Sequence, residues 1–136
     1  MRKIVLALAL LAVTVSGVLC THAQAKASAS PDPDLTGTWT GYGIQGNGSR
    51  IDLVLELTHN GDAYTGILRT AGGSATPMPL RNVKLADGSL TFDLDFPGTR
   101  GPELIRVRLR YQDGALTGSY TDSTGDSDRM HFERGT

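Results

Sequence analysis

Residues 113–120 read DGALTGSY, and the phrase nearly recurs twice upstream, as NGDAYTGIL from Asn60 and DGSLTFDL from Asp87. Asn-Gly and Asp-Gly are the strongest two-residue hairpin signals, because a type I′ turn needs positive φ at both central positions and few residues adopt that cheaply. Such a turn also fixes which flanking side chains face one another. About Asp113-Gly114 the expected pairs are Tyr111 with Leu116, Leu109 with Gly118, and Val107 with Tyr120. About Asp87-Gly88 they are Leu85 with Leu90 and Val83 with Phe92. About Asn60-Gly61 they are Leu57 with Tyr64 and Leu55 with Gly66. Each hairpin places apolar or small residues on one face and polar residues on the other.

Outward from these turns, strands are legible by period two. Ile51, Leu53, Leu55 and Leu57 alternate with polar neighbours, as do Leu90, Phe92, Leu94 and Phe96, then Ile105, Val107, Leu109 and Tyr111, and finally Met130 and Phe132. Adding Leu35–Ile44, Tyr64–Thr70, Met78–Leu85 and Leu116–Thr121 gives eight strands and no helix. Two places break the alternation. Pairing about Asn47-Gly48 would set Ile44 opposite Ile51, which calls for a bulge among Gly41 and Gly43. Met78 and Leu80 have opposite parity to Val83 and Leu85, which places a second irregularity at Arg81-Asn82. Eight short antiparallel strands can bury their apolar faces as a sandwich or as a barrel; hairpin succession and the removal of exposed edges favour an eight-stranded up-and-down β-barrel.

The first 25 residues have the layout of a secretory signal peptide: Arg2 and Lys3, an apolar run from Ile4 to Leu19, and Ala23-Gln24-Ala25 as a small-x-small cleavage site. A spanning helix and a lipid anchor on Cys20 are the rivals. The polar tail after the apolar run disfavours the first, and Leu19, where a small residue is wanted, disfavours the second. Residues 26–34, KASASPDPD, have no apolar periodicity and are expected to form a flexible leader; residues 35–136 are expected to form the barrel domain. Cleavage leaves 111 residues without cysteine, carrying 11 Lys and Arg against 14 Asp and Glu. One small domain follows, exported to the periplasm or beyond. Disulfides, thiol chemistry and thiolate metal sites are excluded, and so mild a charge balance argues against nucleic acid or an acidic membrane as partner.

LTGTWTG from Leu35, NGDAYTGIL, MPLRNVKLADGSLTFDLDF and DGALTGSY together resemble the small secreted all-β domain that precedes the hydrolase domain in some bacterial α/β-hydrolase proteins. The resemblance implies an accessory role, since in those proteins the small domain does not supply the nucleophile. The chain departs from them in ending GSYTDSTGDSDRMHFER, where the family closes with a Trp-containing strand. Gly37-Thr38-Trp39 is also similar to the Gly-x-Trp of lipocalin-like barrels, which implies that Trp39 packs across one barrel end.

No catalytic motif is present: neither Gly-x-Ser-x-Gly, His-Glu-x-x-His nor a Walker loop occurs. His59 and His131 fall on outward positions as solvated side chains. Asp93 and Asp95 are expected to pair with Arg108 and Arg106 across a turn at Arg100-Gly101, on the outer face. The acidic loop DSTGDSD, Asp122–Asp128, lacks the spacing of a calcium loop and reads as a solvated turn. Arg106, Arg108 and Arg110, with Arg129 nearby, form an outward ladder that protects a sheet face and could meet an acidic partner. An eight-stranded barrel either packs solid or holds one small molecule. The residues expected to contact such a ligand are Trp39, Tyr64, Tyr111 and Tyr120, which flank inward glycines at Gly37, Gly66 and Gly118, together with Arg81 if its bulge turns it inward. The expected function is a secreted, non-catalytic binding or accessory module for a small apolar ligand or another exported protein, with no cofactor and no metal. The alternatives are a barrel enzyme of the cyclase or isomerase type and a protein-binding scaffold using the charged outer face.

Overall fold

A computed structural model describes residues 32–72 and 76–136. The expected signal peptide and the leader as far as residue 31 lie outside the described residues. The described chain is all β: β1 (Gly37–Ile44), β2 (Arg50–Asn60), β3 (Ala63–Thr70), β4 (Met78–Pro79), β5 (Arg81–Ala86), β6 (Ser89–Gly98), β7 (Gly101–Gln112), β8 (Ala115–Thr121) and β9 (Ser127–Arg134). They form one antiparallel sheet in the order β4-β3-β2-β1-β9-β8-β7-β6-β5, so every ladder joins neighbours in sequence except that of β1 with β9. The two edges of this sheet, β4 and β5, are consecutive in the chain and separated only by Leu80, whose N–H donates to the Gly66 carbonyl of β3 at 2.9 Å. The sheet is thus rolled into a nearly closed barrel.

Nine strands replace the expected eight because the segment Met78–Leu85 is broken. Its first part pairs with β3 and its second with β6, and the register slips between Arg81 and Lys84 around Asn82 at φ 52°. This is the irregularity the parity change required. The slip also removes the expected pairing of Val83 with Phe92, since the regular β5–β6 ladder runs only from Lys84–Thr91 to Ala86–Ser89 before resuming at Arg81–Asp93.

The Asp113-Gly114 turn holds as read, with φ of 52° and 81° and all three expected pairs in register. The Asp87-Gly88 turn has φ of 52° and 73° and sets Leu85 opposite Leu90. The first hairpin differs. Its central residues are Gly61 and Asp62, with only Gly61 at positive φ (62°), the type II′ signature, so Leu57 meets Gly66 and Leu55 meets Leu68. A slip of two residues leaves every side chain on its own face, which is why the apolar pattern could not reveal it. The same slip moves the β6–β7 turn to Thr99-Arg100, with Gly98 opposite Gly101, and sets Asp93 opposite Arg106 and Asp95 opposite Leu104. No bulge occurs at Gly41 or Gly43: β1 and β2 pair without interruption from Gly37–Leu57 to Ile44–Arg50, and a longer loop, residues 45–49, absorbs the parity change.

The inner face is a single core built from the expected alternation. Leu53, Leu55, Leu57, Leu90, Phe92, Leu94, Ile105, Val107, Leu109, Leu116, Met130 and Phe132 are buried, joined by Leu35, Trp39, Leu68 and Met78, and among the described residues no polar side chain is buried with them. Transfer of such side chains from water is worth about 1.5–3 kcal/mol each, and it is the main force holding a barrel without disulfides.

Candidate functional site

The two barrel ends are built differently. The tight turns at Gly61-Asp62, Asp87-Gly88 and Asp113-Gly114 lie together at one end, so the recurrent phrase of the sequence marks a single rim. The other end carries the loops 45–49 and 122–126, residues 71–72 and 76–77, and the Thr99-Arg100 turn.

The tight-turn end is closed. Leu35 is fully buried, its N–H donating to the Tyr64 hydroxyl at 3.2 Å and its carbonyl accepting from Trp39 Nε1 at 2.9 Å. The Arg134 guanidinium lies 4.5 Å from the Trp39 ring centroid while donating to the carbonyls of Thr36 and Asp34 at 2.8 and 2.9 Å. Tyr111 meets the Trp39 ring edge to face at 6.1 Å. Asp32, within the stretch expected to be leader, accepts from the Gly88 N–H at 2.8 Å, so the described chain ahead of β1 is stitched across this rim. Trp39 packs across one barrel end, as the Gly-x-Trp likeness implied.

The loop end is open. A cavity of about 220 Å³ enters the barrel there, with Leu53, Leu68, Leu94, Ile105 and Met130 as its apolar floor and Gly43, Phe96 and Ile51 on its walls. Its polar lining comes from Gln45, Glu103, Tyr120 and Asp122. The Tyr120 hydroxyl donates to the Ile44 carbonyl at 2.7 Å, tying β8 to the end of β1 at the mouth. Burial of that hydroxyl, then the nearby charges of Asp128, Asp122 and Glu103, raise its pKa above the usual phenol value. Asp122 Oδ1 accepts from the Thr124 hydroxyl at 2.6 Å and from the amides of Thr124 and Asp126 at 2.9 and 3.0 Å. The Thr124 hydroxyl above all, then those amides, hold the Asp122 carboxyl below the usual carboxylate range. It therefore stays ionised in mild acid.

Of the five residues read from the sequence as ligand contacts, Tyr120 lines this cavity. Trp39, Tyr64 and Tyr111 gather at the closed end, Tyr64 with its ring stacked on His59 at 4.5 Å. Arg81 lies on the outer surface, paired with Asp95 at 2.7 Å. The bulge beside it exists, but Arg81 points outward; the β6–β7 register parts Asp95 from Arg106, and Arg81 takes Asp95 instead, while Asp93 accepts from Asn82 at 3.0 Å. His59 is exposed; His131 is half-buried on the outer face, 2.9 Å from the Thr117 hydroxyl and 3.2 Å from Glu133. Arg106, Arg108 and Arg110 are exposed along the outside of β7, and register sets Lys84, Thr91, Arg108, Ser119 and Arg129 in one row across five strands.

Sequence reading missed Gly43, Glu103 and Asp122 as cavity residues. The signal was available in parity: Glu103 continues the inward series of Ile105 and Val107, and Asp122 continues that of Gly118 and Tyr120. The inward glycines act in two ways. A Cβ on Gly41, Gly66 or Gly118 would collide with a carbonyl oxygen of the neighbouring strand, of His131, Glu56 and Arg108 respectively, so these glycines permit close strand approach. At Gly43 a Cβ would meet only side chains, Leu53 Cδ1 at 3.4 Å and Ile51 Cγ2 at 3.7 Å, and there the missing side chain does open space.

No family model matches the chain, and no curated protein matches it. Among solved structures, a redesigned β-barrel, mFAP1, bound to DFHBI, superposes with a TM-score of 0.53 at 15% identity, over 74% of this chain and 94% of that one. A point mutant of the fluorescent protein UnaG superposes with a TM-score of 0.49 at 13% identity, over 75% of this chain and 96% of that one. The likeness to mFAP1 is one of fold: this chain is an antiparallel β-barrel.

Proposed function

We propose that the protein is an exported, non-catalytic lipocalin-like barrel that binds a small, largely apolar molecule in the cavity at its loop end. The observation that carries this reading is the asymmetry of the two ends: one is sealed by Leu35, Trp39 and Arg134, and the other opens into about 220 Å³ floored by aliphatic side chains. An apolar cavity of about 150 Å³ takes up benzene, so a ligand for this space is small or inserts only its tail. Barrels of this fold can hold a small molecule, as mFAP1 holds DFHBI. Tyr120 is the residue of the five sequence candidates that this reading keeps as a contact. Burying about 200 Å² of apolar surface supplies roughly 5 kcal/mol before the costs of association, so micromolar or weaker affinity is expected.

Titration of isotope-labelled protein with short-chain aliphatic and aromatic compounds, followed by backbone amide shifts, tests the reading. Shifts should centre on Gly43, Ile51, Leu94 and Tyr120 and leave Trp39 unmoved. Gly43→Leu should fill the cavity and weaken binding by about tenfold or more, one methylene-rich side chain displacing the ligand's own contacts. Binding that survives this plug unchanged would place the ligand elsewhere.

Export rests on the charged start, apolar run and Ala23-Gln24-Ala25 ending of the first 25 residues. The intact mass of the exported chain should correspond to a start at Lys26; a mass that includes a lipid on Cys20 or retains Met1 overturns this.

A further inference from the structure

The cavity mouth carries charge of one sign, and strand geometry puts it there. On β7 the inward series Leu109, Val107, Ile105 runs out at Glu103; on β8 the series Leu116, Gly118, Tyr120 runs out at Asp122; on β9 the series Phe132, Met130 runs back to Asp128. Three consecutive strands therefore end their inner faces on a carboxylate at the same barrel end. Register staggers them along the opening: Glu103 is opposite Phe96, whereas Asp128 is opposite Tyr120, which is itself opposite Val107. Glu103 and Asp122 line the cavity, and Asp128 Oδ2 reaches the loop between β1 and β2, 3.7 Å from where a Cβ on Gly46 would stand. All three are half-buried.

Among the described residues no cationic side chain answers them. No Lys or Arg is among the residues lining the cavity, and the ion pairs found among the described residues engage Asp52, Glu56, Asp95 and Glu133. The effect of the three charges reaches the cavity itself, since all three act on the Tyr120 hydroxyl. They are also not a metal site: among the described residues no three acidic or imidazole side chains come together closely enough to hold an ion. Charge spread around an apolar opening suits a bulky, weakly hydrated cation that needs no fixed coordination geometry, and Phe96 and Tyr120 in the lining offer it aromatic faces.

Resting on the ligand-binding reading above, we infer that the ligand is a cationic amphiphile, its apolar body among Leu53, Leu68, Leu94 and Met130 and an ammonium group held at the rim by Glu103, Asp122 and Asp128. A fatty acid presents the wrong charge to this mouth, and like charges brought together are penalised. A neutral alcohol fills the same floor without gaining from the rim.

The test compares four probes that share one tail: heptyltrimethylammonium, heptylammonium, 1-heptanol and heptanoate, titrated into the exported form of the protein by calorimetry or amide shifts. Both ammonium probes should bind about tenfold more tightly than the alcohol, with heptanoate weakest. Raising the salt from about 0.05 M to about 0.5 M should shrink the gap, because exposed charges are then screened within a few ångströms. The double substitution Glu103→Gln with Asp128→Asn should shrink the preference severalfold without abolishing it, and should weaken the ammonium probes more than 1-heptanol; Asp122 is spared because its carboxylate organises the loop 122–126. Equal affinity for ammonium and alcohol, or a preference for heptanoate, overturns the cationic assignment while the cavity remains the site. If none of the four binds, the ligand-binding reading beneath it falls as well.

Discussion

Trp39→Ala is expected to lower stability by about 3–5 kcal/mol, the range for removing a fully buried aromatic side chain. Trp39 is 0% exposed, and its loss deletes more than volume. The Leu35 carbonyl loses its donor, the Arg134 guanidinium loses the ring beneath it, and Tyr111 loses its edge contact. The sealed end would be left as a cavity under residues 32–36, held by the side-chain hydrogen bonds of Asp32, Tyr64 and Arg134. Since a domain of this size has about 5–15 kcal/mol in hand, the variant should stand near the edge of folding. Urea denaturation followed by far-ultraviolet circular dichroism measures this, the sole tryptophan having been removed. Trp39→Phe should lose less, chiefly the indole hydrogen bond and part of the packing. A midpoint for Trp39→Ala within about 1 kcal/mol of the parent would mean that this end is not closed by Trp39.

The second large effect sets two glycines against each other. Gly118→Ala should cost about 2–4 kcal/mol, because the new Cβ would collide with the Arg108 carbonyl oxygen and crowd Arg108 C at 2.9 Å and Leu109 Cα at 3.0 Å. All of these are backbone atoms of β7, so relief requires β7 and β8 to part. Gly43→Ala should lie within about 1 kcal/mol of neutral, on the stabilising side, since its nearest neighbours are side-chain atoms from 3.4 Å outward and glycine in a strand interior is entropically unfavourable. Neither position has a positive φ, so turn strain is not involved. Parallel denaturation of the two variants is the check; equal midpoints would mean that close approach of β7 and β8 is not what Gly118 provides.

What could be foreseen followed the strength of each local signal. Asp87-Gly88 and Asp113-Gly114 dictate positive φ at two adjacent residues, and the expected pairs about those turns followed except Val83 with Phe92, which the register shift in β5 removes. Asn60-Gly61-Asp62 and the segment PGTRGP each offer two turn placements that differ by two residues of register, and a period-two pattern is blind to an even slip. The odd break in Met78–Leu85 was visible because it moves side chains to the other face; that the break splits the strand between two partners was not, because it depends on where β3 and β6 lie across the barrel. The site was legible only in part. Tyr120 was named for its aromatic ring beside an inward glycine, whereas Glu103 and Asp122 were passed over because acidic residues near strand ends read as solvated turns. Trp39, Tyr64 and Tyr111 share the inward face with the cavity floor, but which barrel end each occupies is settled by register, not by face.

The order of the sheet also bears on how the chain finds it. Each ladder but one joins neighbours in sequence, so most pairings can form as hairpins, each closing a short loop. The exception is β1 with β9, where Trp39 faces Arg134 about 95 residues away along the chain. Closing an unstructured loop of that length carries an entropy penalty of about 4 kcal/mol plus a constant, but the hairpins formed in between shorten the effective path. This single non-local ladder is therefore expected to form late, and the residues that complete it, Trp39 and Arg134, are the ones that seal the barrel end. Closure of the ring and sealing of the floor are one step of folding, so an incompletely folded chain exposes its apolar interior at the sealed end as well as at the mouth.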